Sequence, residues 1–149
     1  MMMHNAIAAY QQNEVELSVY SARPVELVVM LYDGAIQSLV QANALIQRGD
    51  IQAKAQQIIR ATNIISELSG VLDLEQGEVA QNLDGIYGYA RKQLLSANLR
   101  NDQRKINEVV HLLKELRSAW QELAQRQNES DRSVRVASHQ AQGLLARAG

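Results

Sequence analysis

Apolar residues recur at three- and four-residue intervals in four successive stretches of this chain, a periodicity that only helices can use. The cleanest run is Ile106, Val109, Leu113, Leu116, Trp120 and Leu123. Side chains so spaced share one face of a helix and can be buried together. Strand signals are missing, because no sustained period-two alternation is bounded by hairpin turns. A single proline, no phenylalanine and abundant Ala, Leu, Gln and Ile agree with an all-α chain.

The breaks between stretches set the organisation. Residues 1–20 hold scattered apolar side chains (Ile7, Tyr10, Val15, Leu17, Val19) around the polar run Gln11 to Glu14, which predicts an arm or short docking helix. The first long helix begins around Arg23-Pro24, since proline suits a first turn. Glu26 complements its positive end, Gly49 supplies a left-handed stop, and Asp50 caps the next helix. The second helix carries Ile51, Ala55, Ile58, Thr62, Ile65 and Leu72 and breaks between Gly70 and Gly77, with Asp73 as the expected cap. The third runs through Val79, Leu83, Ile86, Ala90, Leu94 and Ala97, and Asp102 caps the fourth. Helices of about 20 residues with short links predict an antiparallel four-helix up-down bundle over 21–125. A polar, mobile tail is expected over 126–149, where Val134, Val136, Leu144 and Leu145 are too sparse to make a core alone.

At 149 residues the chain suffices for one domain with a real core. Its net charge of -1 excludes bulk attraction to nucleic acid or anionic membrane. The absence of cysteine removes disulfides, thiol catalysis and thiolate metal sites. Met1-Met2-Met3-His4-Asn5 lacks the basic region and apolar run of a signal peptide, and no unbroken apolar run is of membrane-spanning length. A cytoplasmic protein without membrane insertion is expected.

Candidate chemistry is thin. Glu108 and His111 fit the E-x-x-H spacing of di-iron bundles, but a second copy is missing and both residues point away from the seam. His111 with Lys114 has the spacing of a histidine phosphotransfer domain, which is also a four-helix bundle, yet Glu115 puts negative charge where a phosphoryl group would sit. His4 and His139 lack sequence-local ligand partners, and nothing resembles a phosphate loop or nucleophile elbow. Tyr10, Tyr20, Tyr32, Tyr87, Tyr89 and Trp120 do not interleave with a basic patch, so base stacking is unsupported; Trp120 belongs in the core. Neither catalysis nor a cofactor is expected.

Surplus apolar surface is the stronger signal. Leu27, Leu31, Ala35, Ser38, Ala42 and Leu45 give the first helix a core-facing stripe. Val25, Val29, Tyr32, Ile36 and Val40 form a second stripe on another side. Ile64, Leu68 and Val71 lie off the seam of the second helix, and Tyr89 off that of the third. Such surface is covered by the arm, by a second copy in a structural dimer, or by a partner; binding of a partner is the reading favoured here. On that reading Tyr32→Asp weakens binding and spares helicity.

The same residues carry a family likeness. Leu27-Val28-Val29-Met30-Leu31-Tyr32-Asp33-Gly34-Ala35 resembles the L-x-x-M-L-Y-D-G-A motif of the flagellar secretion chaperone family FliS. Ala9-Tyr10-Gln11, Ser21-Ala22-Arg23-Pro24, Leu72-Asp73 through Leu83, Ile86-Tyr87-Gly88-Tyr89, Ala97-Asn98 through Asp102 and Ala119-Trp120 are similar to further elements of that family, in order over residues 9–123. Arg23 stands where the family has a capping Ser, and Gln76-Gly77 replaces Gly-Gly. The resemblance implies a cytosolic, non-enzymatic export chaperone. It would bind the disordered C-terminal segment of flagellin in apolar surface grooves and prevent polymerisation before secretion. It further implies an N-terminal lid around Ile7 and Tyr10, possible contacts with the export apparatus or other flagellar regulators, and a monomer or weak homodimer. The client-binding set is then Ile7, Tyr10, Val25, Val29, Tyr32, Ile36, Val40, Ile64, Leu68 and Tyr89.

Overall fold

Four helices account for nearly all of the chain that the computed structural model describes, residues 24–72 and 77–148. They are α1 (Pro24–Arg48), α2 (Ile51–Gly70), α3 (Glu78–Arg100) and α4 (Gln103–Ala148). The N-terminal arm, with Ile7 and Tyr10, lies outside the described residues.

Local chemistry sets each boundary. α1 starts at Pro24 and ends at Gly49, whose φ of 77° is the left-handed conformation that glycine adopts without strain. The Gly49 and Asp50 amides then donate to the Ile46 and Leu45 carbonyls at 3.0 and 2.9 Å. Asp50 caps α2 by accepting from the Ala53 amide at 3.2 Å. The cap of α3 differs from the expectation. Gly77, at φ 109°, occupies that position without a side-chain bond, and Asp73 lies outside the described residues.

The α3–α4 link shows why Asn98 to Asp102 have their identities. Asn101 is left-handed (φ 53°), a conformation asparagine tolerates, and its amide donates to the Ala97 carbonyl. Asp102 accepts from the Arg104 and Lys105 amides at 3.0 and 3.4 Å, capping α4. The Nζ of Lys54 donates to both the carbonyl and the Oδ1 of Asn98 at 2.8 Å. A cation thereby meets the negative end of α3, and burial pulls the Lys54 ammonium below its ordinary pKa.

The helices pack in a ring, α1 on α2, α2 on α3, α3 on α4 and α4 back on α1, with α1 and α3 across the diagonal. Two side-chain contacts fix the antiparallel register of α1 and α4. Arg117 donates to Asp33 at 2.9 Å, and Asn43 donates to Asn107 at 2.7 Å. This arrangement corrects the two-stripe reading of α1. Val25, Tyr32 and Ile36 are as buried as Leu31, Ala35 and Ala42, because α2 takes one side of α1 and α4 another. By length and composition Val25–Arg48 could cross a membrane, yet Val25, Leu31, Tyr32, Ala35, Ile36, Leu39 and Ala42 of this segment are buried within the bundle.

The same correction applies to α2. Ile64 and Leu68 lie with Ile58, Ala61 and Ile65 in the core, while Ile51, expected on the seam, is exposed. A helix flanked by two neighbours buries a wider arc than the single stripe used to read it. At the centre, the Tyr32 and Tyr87 hydroxyls hydrogen-bond to each other across the diagonal. Burial raises the pKa of each, and the nearby polar edge of Trp120 opposes that shift. Trp120 is half-buried against the core.

α4 is 46 residues long, about 69 Å at 1.5 Å per residue. Beyond Gln125, where a polar tail was expected, the chain continues as helix. Every described side chain from Asn128 to Leu144 is exposed.

Candidate docking surface

Helices α3 and α4 flank a groove of about 650 Å³. Ile86, Tyr89 and Leu112 supply its apolar lining, and Gln81, Asn82, Glu108, His111 and Glu115 its polar members. Gly85 also lines it, and a side-chain carbon added there would meet open space. The missing side chain one turn before Tyr89 is part of what keeps the groove open.

Two polar contacts shape the rim. The Tyr89 hydroxyl donates to Glu108 Oε1 across the two helices, and this carboxylate acceptor holds the tyrosine proton above its ordinary pKa. His111 Nε2 lies 3.0 Å from Glu115 Oε1, one turn away on α4. That carboxylate engages the nitrogen a phosphotransfer reaction would use and places an anion beside it. Glu108 and His111 belong to no cluster of three or more metal-ligating side chains among the described residues. The groove presents an apolar lining and hydrogen-bonding edges, a chemistry of recognition.

The sites expected from sequence fall into three groups. Tyr89, 47% exposed, lies in the groove, Val40 is 53% exposed on the outer side of α1, and Val29 is half-buried. Val25, Tyr32, Ile36, Ile64 and Leu68 are core residues, and Tyr32 has no accessible surface. They can meet a partner only if the bundle opens. Their expected place on an outer stripe is therefore corrected, and Tyr32→Asp would bury a charge. Ile7 and Tyr10 lie outside the described residues.

The sequence reading missed Leu112 as a surface residue and assigned Ile86 wholly to the core seam. The signal was present in Gly85 and Tyr89, a small residue and an aromatic at i and i+4 on a helix whose seam uses neither. Other large apolar side chains stand exposed around the bundle, among them Met30, Ile59, Leu95 and Leu99.

Comparison with known proteins adds a consistent set of likenesses. A family model described as "Flagellar protein FliS" matches residues 3–127. The chain is 43% identical over 122 residues to the flagellar secretion chaperone FliS of Salmonella typhimurium, covering 80% of this chain and 90% of that protein. It is 34% identical to the flagellar secretion chaperone FliS of Vibrio cholerae, covering 81% and 90%. To that of Bacillus subtilis it is likewise 34% identical, covering 84% and 90%.

Proposed function

Because this chain belongs to the FliS family of flagellar proteins, we propose that it is a cytoplasmic, non-enzymatic export chaperone for flagellin. It holds the client's disordered C-terminal segment against the α3–α4 groove, so that the segment cannot polymerise before secretion. The observation that carries this reading is the groove itself: Ile86, Tyr89 and Leu112 are apolar, accessible and edged by hydrogen-bonding groups.

The mechanism is recognition coupled to folding of the client. Ordering a disordered segment costs about 2–5 kcal/mol. Burial of about 200 Å² of apolar surface contributes about 5 kcal/mol at 25 cal/mol per Å², enough to offset that cost. Tyr89 supplies a rigid ring with one polar end, the kind of side chain that anchors interfaces. Val29 and Val40 extend the contact along α1, and Val25, Tyr32, Ile36, Ile64 and Leu68 hold the scaffold that shapes it. Ile7 and Tyr10 join from the N-terminal arm, a lid that shields apolar surface until the client displaces it. The complex then passes to the export apparatus, and other flagellar regulators can use the same surface. Without client the protein is a monomer or weak homodimer.

Calorimetric titration with a flagellin C-terminal peptide of about 40 residues tests the reading through its heat capacity signature. Saturable one-to-one binding with a negative heat capacity change supports it. A tenfold or greater weakening in Tyr89→Asp places the contact in the groove. Absence of binding by the unaltered protein would sink the proposal.

A further inference from the structure

The outer face between α2 and α3 carries apolar side chains that no described helix covers. Ile51, Ala55 and Ile59 recur at four-residue spacing on α2, and Leu95 and Leu99 do so on α3, so each row shares one side of its helix. Ile51 is 44%, Ile59 53%, Leu95 63% and Leu99 78% exposed, and Ala55 is half-buried. None of the five lines the α3–α4 groove.

Two contacts set the rows side by side. Lys54 Nζ holds Asn98 at 2.8 Å, and Arg91 donates to Ser69 Oγ at 2.9 Å, which fixes α2 and α3 antiparallel. Ala55 and Leu99 are the next residues after the Lys54–Asn98 contact. One step of about 100° turns each from that contact towards solvent. Packed helices have axes about 8–10 Å apart, so the rows border a shallow trough on which a third helix can lay one apolar face.

The charge around the trough is of one sign. Residues 51–66 include Lys54 and Arg60, residues 85–100 include Arg91, Lys92 and Arg100, and neither stretch contains Asp or Glu. The acids just beyond, Glu67 and Asp84, stand about 12 Å past Ile59 and about 17 Å before Leu95 along their helices. Asp50 and Asp102, at the helix starts, accept from backbone amides. Lys92 shares the side of Leu95 and Leu99 and is exposed, with no ion-pair partner among the described residues. The α3–α4 groove has the opposite character, with Glu108 and Glu115 among its lining. A second copy pairing through the α2–α3 face would set cations against cations. The aliphatic centre offers no ring on which a nucleic-acid base could stack. An acidic amphipathic helix matches both the apolar centre and its cationic border.

We infer that the α2–α3 face is a second docking surface, separate from the α3–α4 groove, and that it takes an acidic amphipathic helix of another protein. Apolar side chains of that helix cover Ile59, Leu95 and Leu99, and its carboxylates meet Lys92 and Arg91. The probe is a fluorescent peptide of about 20 residues, with Leu at steps of three and four and Glu and Ala elsewhere. By anisotropy at low salt, the full-length protein should bind it at least about tenfold tighter than the same peptide with Lys for Glu. Leu95→Asp should weaken binding by about tenfold or more and Lys92→Glu by at least about threefold. Val134→Asp, on the α4 extension, should leave it within about twofold. All three side chains are exposed, so an unchanged circular dichroism spectrum separates lost binding from lost fold. No flagellin enters the test, so it stands or fails apart from the client reading. Failure to bind the acidic peptide, equal affinity for the two peptides, or equal losses in Val134→Asp and Leu95→Asp overturns the inference. So does a mass that doubles with protein concentration and reverts in Leu95→Asp, which would assign the face to a second copy.

Discussion

Removing one hydroxyl from the Tyr32–Tyr87 pair should cost more than removing both. In Tyr87→Phe the ring stays in place while the Tyr32 hydroxyl, inaccessible to water, loses its partner on α3. An unsatisfied buried hydroxyl costs about 1–3 kcal/mol, and the single variant should fall in that range. The double variant Tyr32→Phe/Tyr87→Phe leaves two apolar rings of nearly unchanged shape, and its cost should fall below about 1 kcal/mol. The coupling is therefore at least about 1 kcal/mol, with the double variant more stable than the sum of the single ones. Urea denaturation followed by circular dichroism at neutral pH measures all four corners of the cycle.

The pH dependence supplies a second readout. Both tyrosines have their pKa raised above the ordinary value of 10.0 in the folded state, chiefly by burial. Below pH 10 folded and unfolded chains both keep these protons, and the pair's contribution to stability is complete. As pH rises past 10 the unfolded chain releases protons that the folded chain retains. Stability then falls by up to about 1.4 kcal/mol per pH unit for each tyrosine. The double variant should lose that part of the alkaline slope, and Lys54, common to both proteins, cancels in the comparison. Additive single costs at neutral pH together with an unchanged alkaline slope would refute the claim that these hydroxyls are paired and buried.

Four further outcomes follow from other parts of the molecule. Tyr89→Ala should keep the thermal midpoint within about 2 °C, because its ring is half-exposed, while weakening flagellin-peptide binding at least tenfold by calorimetry. Tyr32→Asp should abolish cooperative unfolding or lower stability by more than about 3 kcal/mol, because it buries an acid among apolar groups; a native-like spectrum and midpoint would contradict the core assignment. Asn101→Val should destabilise by about 1–2 kcal/mol in urea titration, since a β-branched residue resists φ 53°, whereas Asn101→Gly should be neutral or slightly stabilising. Arg117→Ala should cost less than about 1 kcal/mol, because its bond to the exposed Asp33 is a surface contact.

Helix identity and most boundaries were legible in the sequence because they depend on neighbours along the chain. Pro24, Gly49, Asp50 and Asp102 do their work within a few residues of themselves, and each stands where the local chemistry places it. The number of flanks a helix buries depends on the other helices. A stripe on α1 separate from Leu31 and Ala35 was read as unpartnered, yet α2 and α4 together bury Val25, Tyr32 and Ile36 of that stripe and leave Val29 and Val40 accessible. The exposure of Tyr89 could be read from its position off the seam. Its groove needed the facing residues Leu112 and Glu108 on another helix, which no spacing within α3 reveals. The exposed helical continuation after Gln125 also escaped notice, because the polar Gln127 and Ser130 interrupt the apolar run without changing its phase.

The double burial of α1 has a consequence for synthesis. Its contacts with α2 are local, and that side can be covered as soon as the hairpin is made. The partners for its other side are 64 residues away at Asn107 and 84 at Arg117. At a translation rate of about 5–20 residues per second, this second apolar side waits roughly 4–17 s for α4 to be made. During that interval the nascent chain displays an uncovered helix apolar enough to pass for a membrane segment. Until α4 is made, this helix is itself a segment in need of shielding.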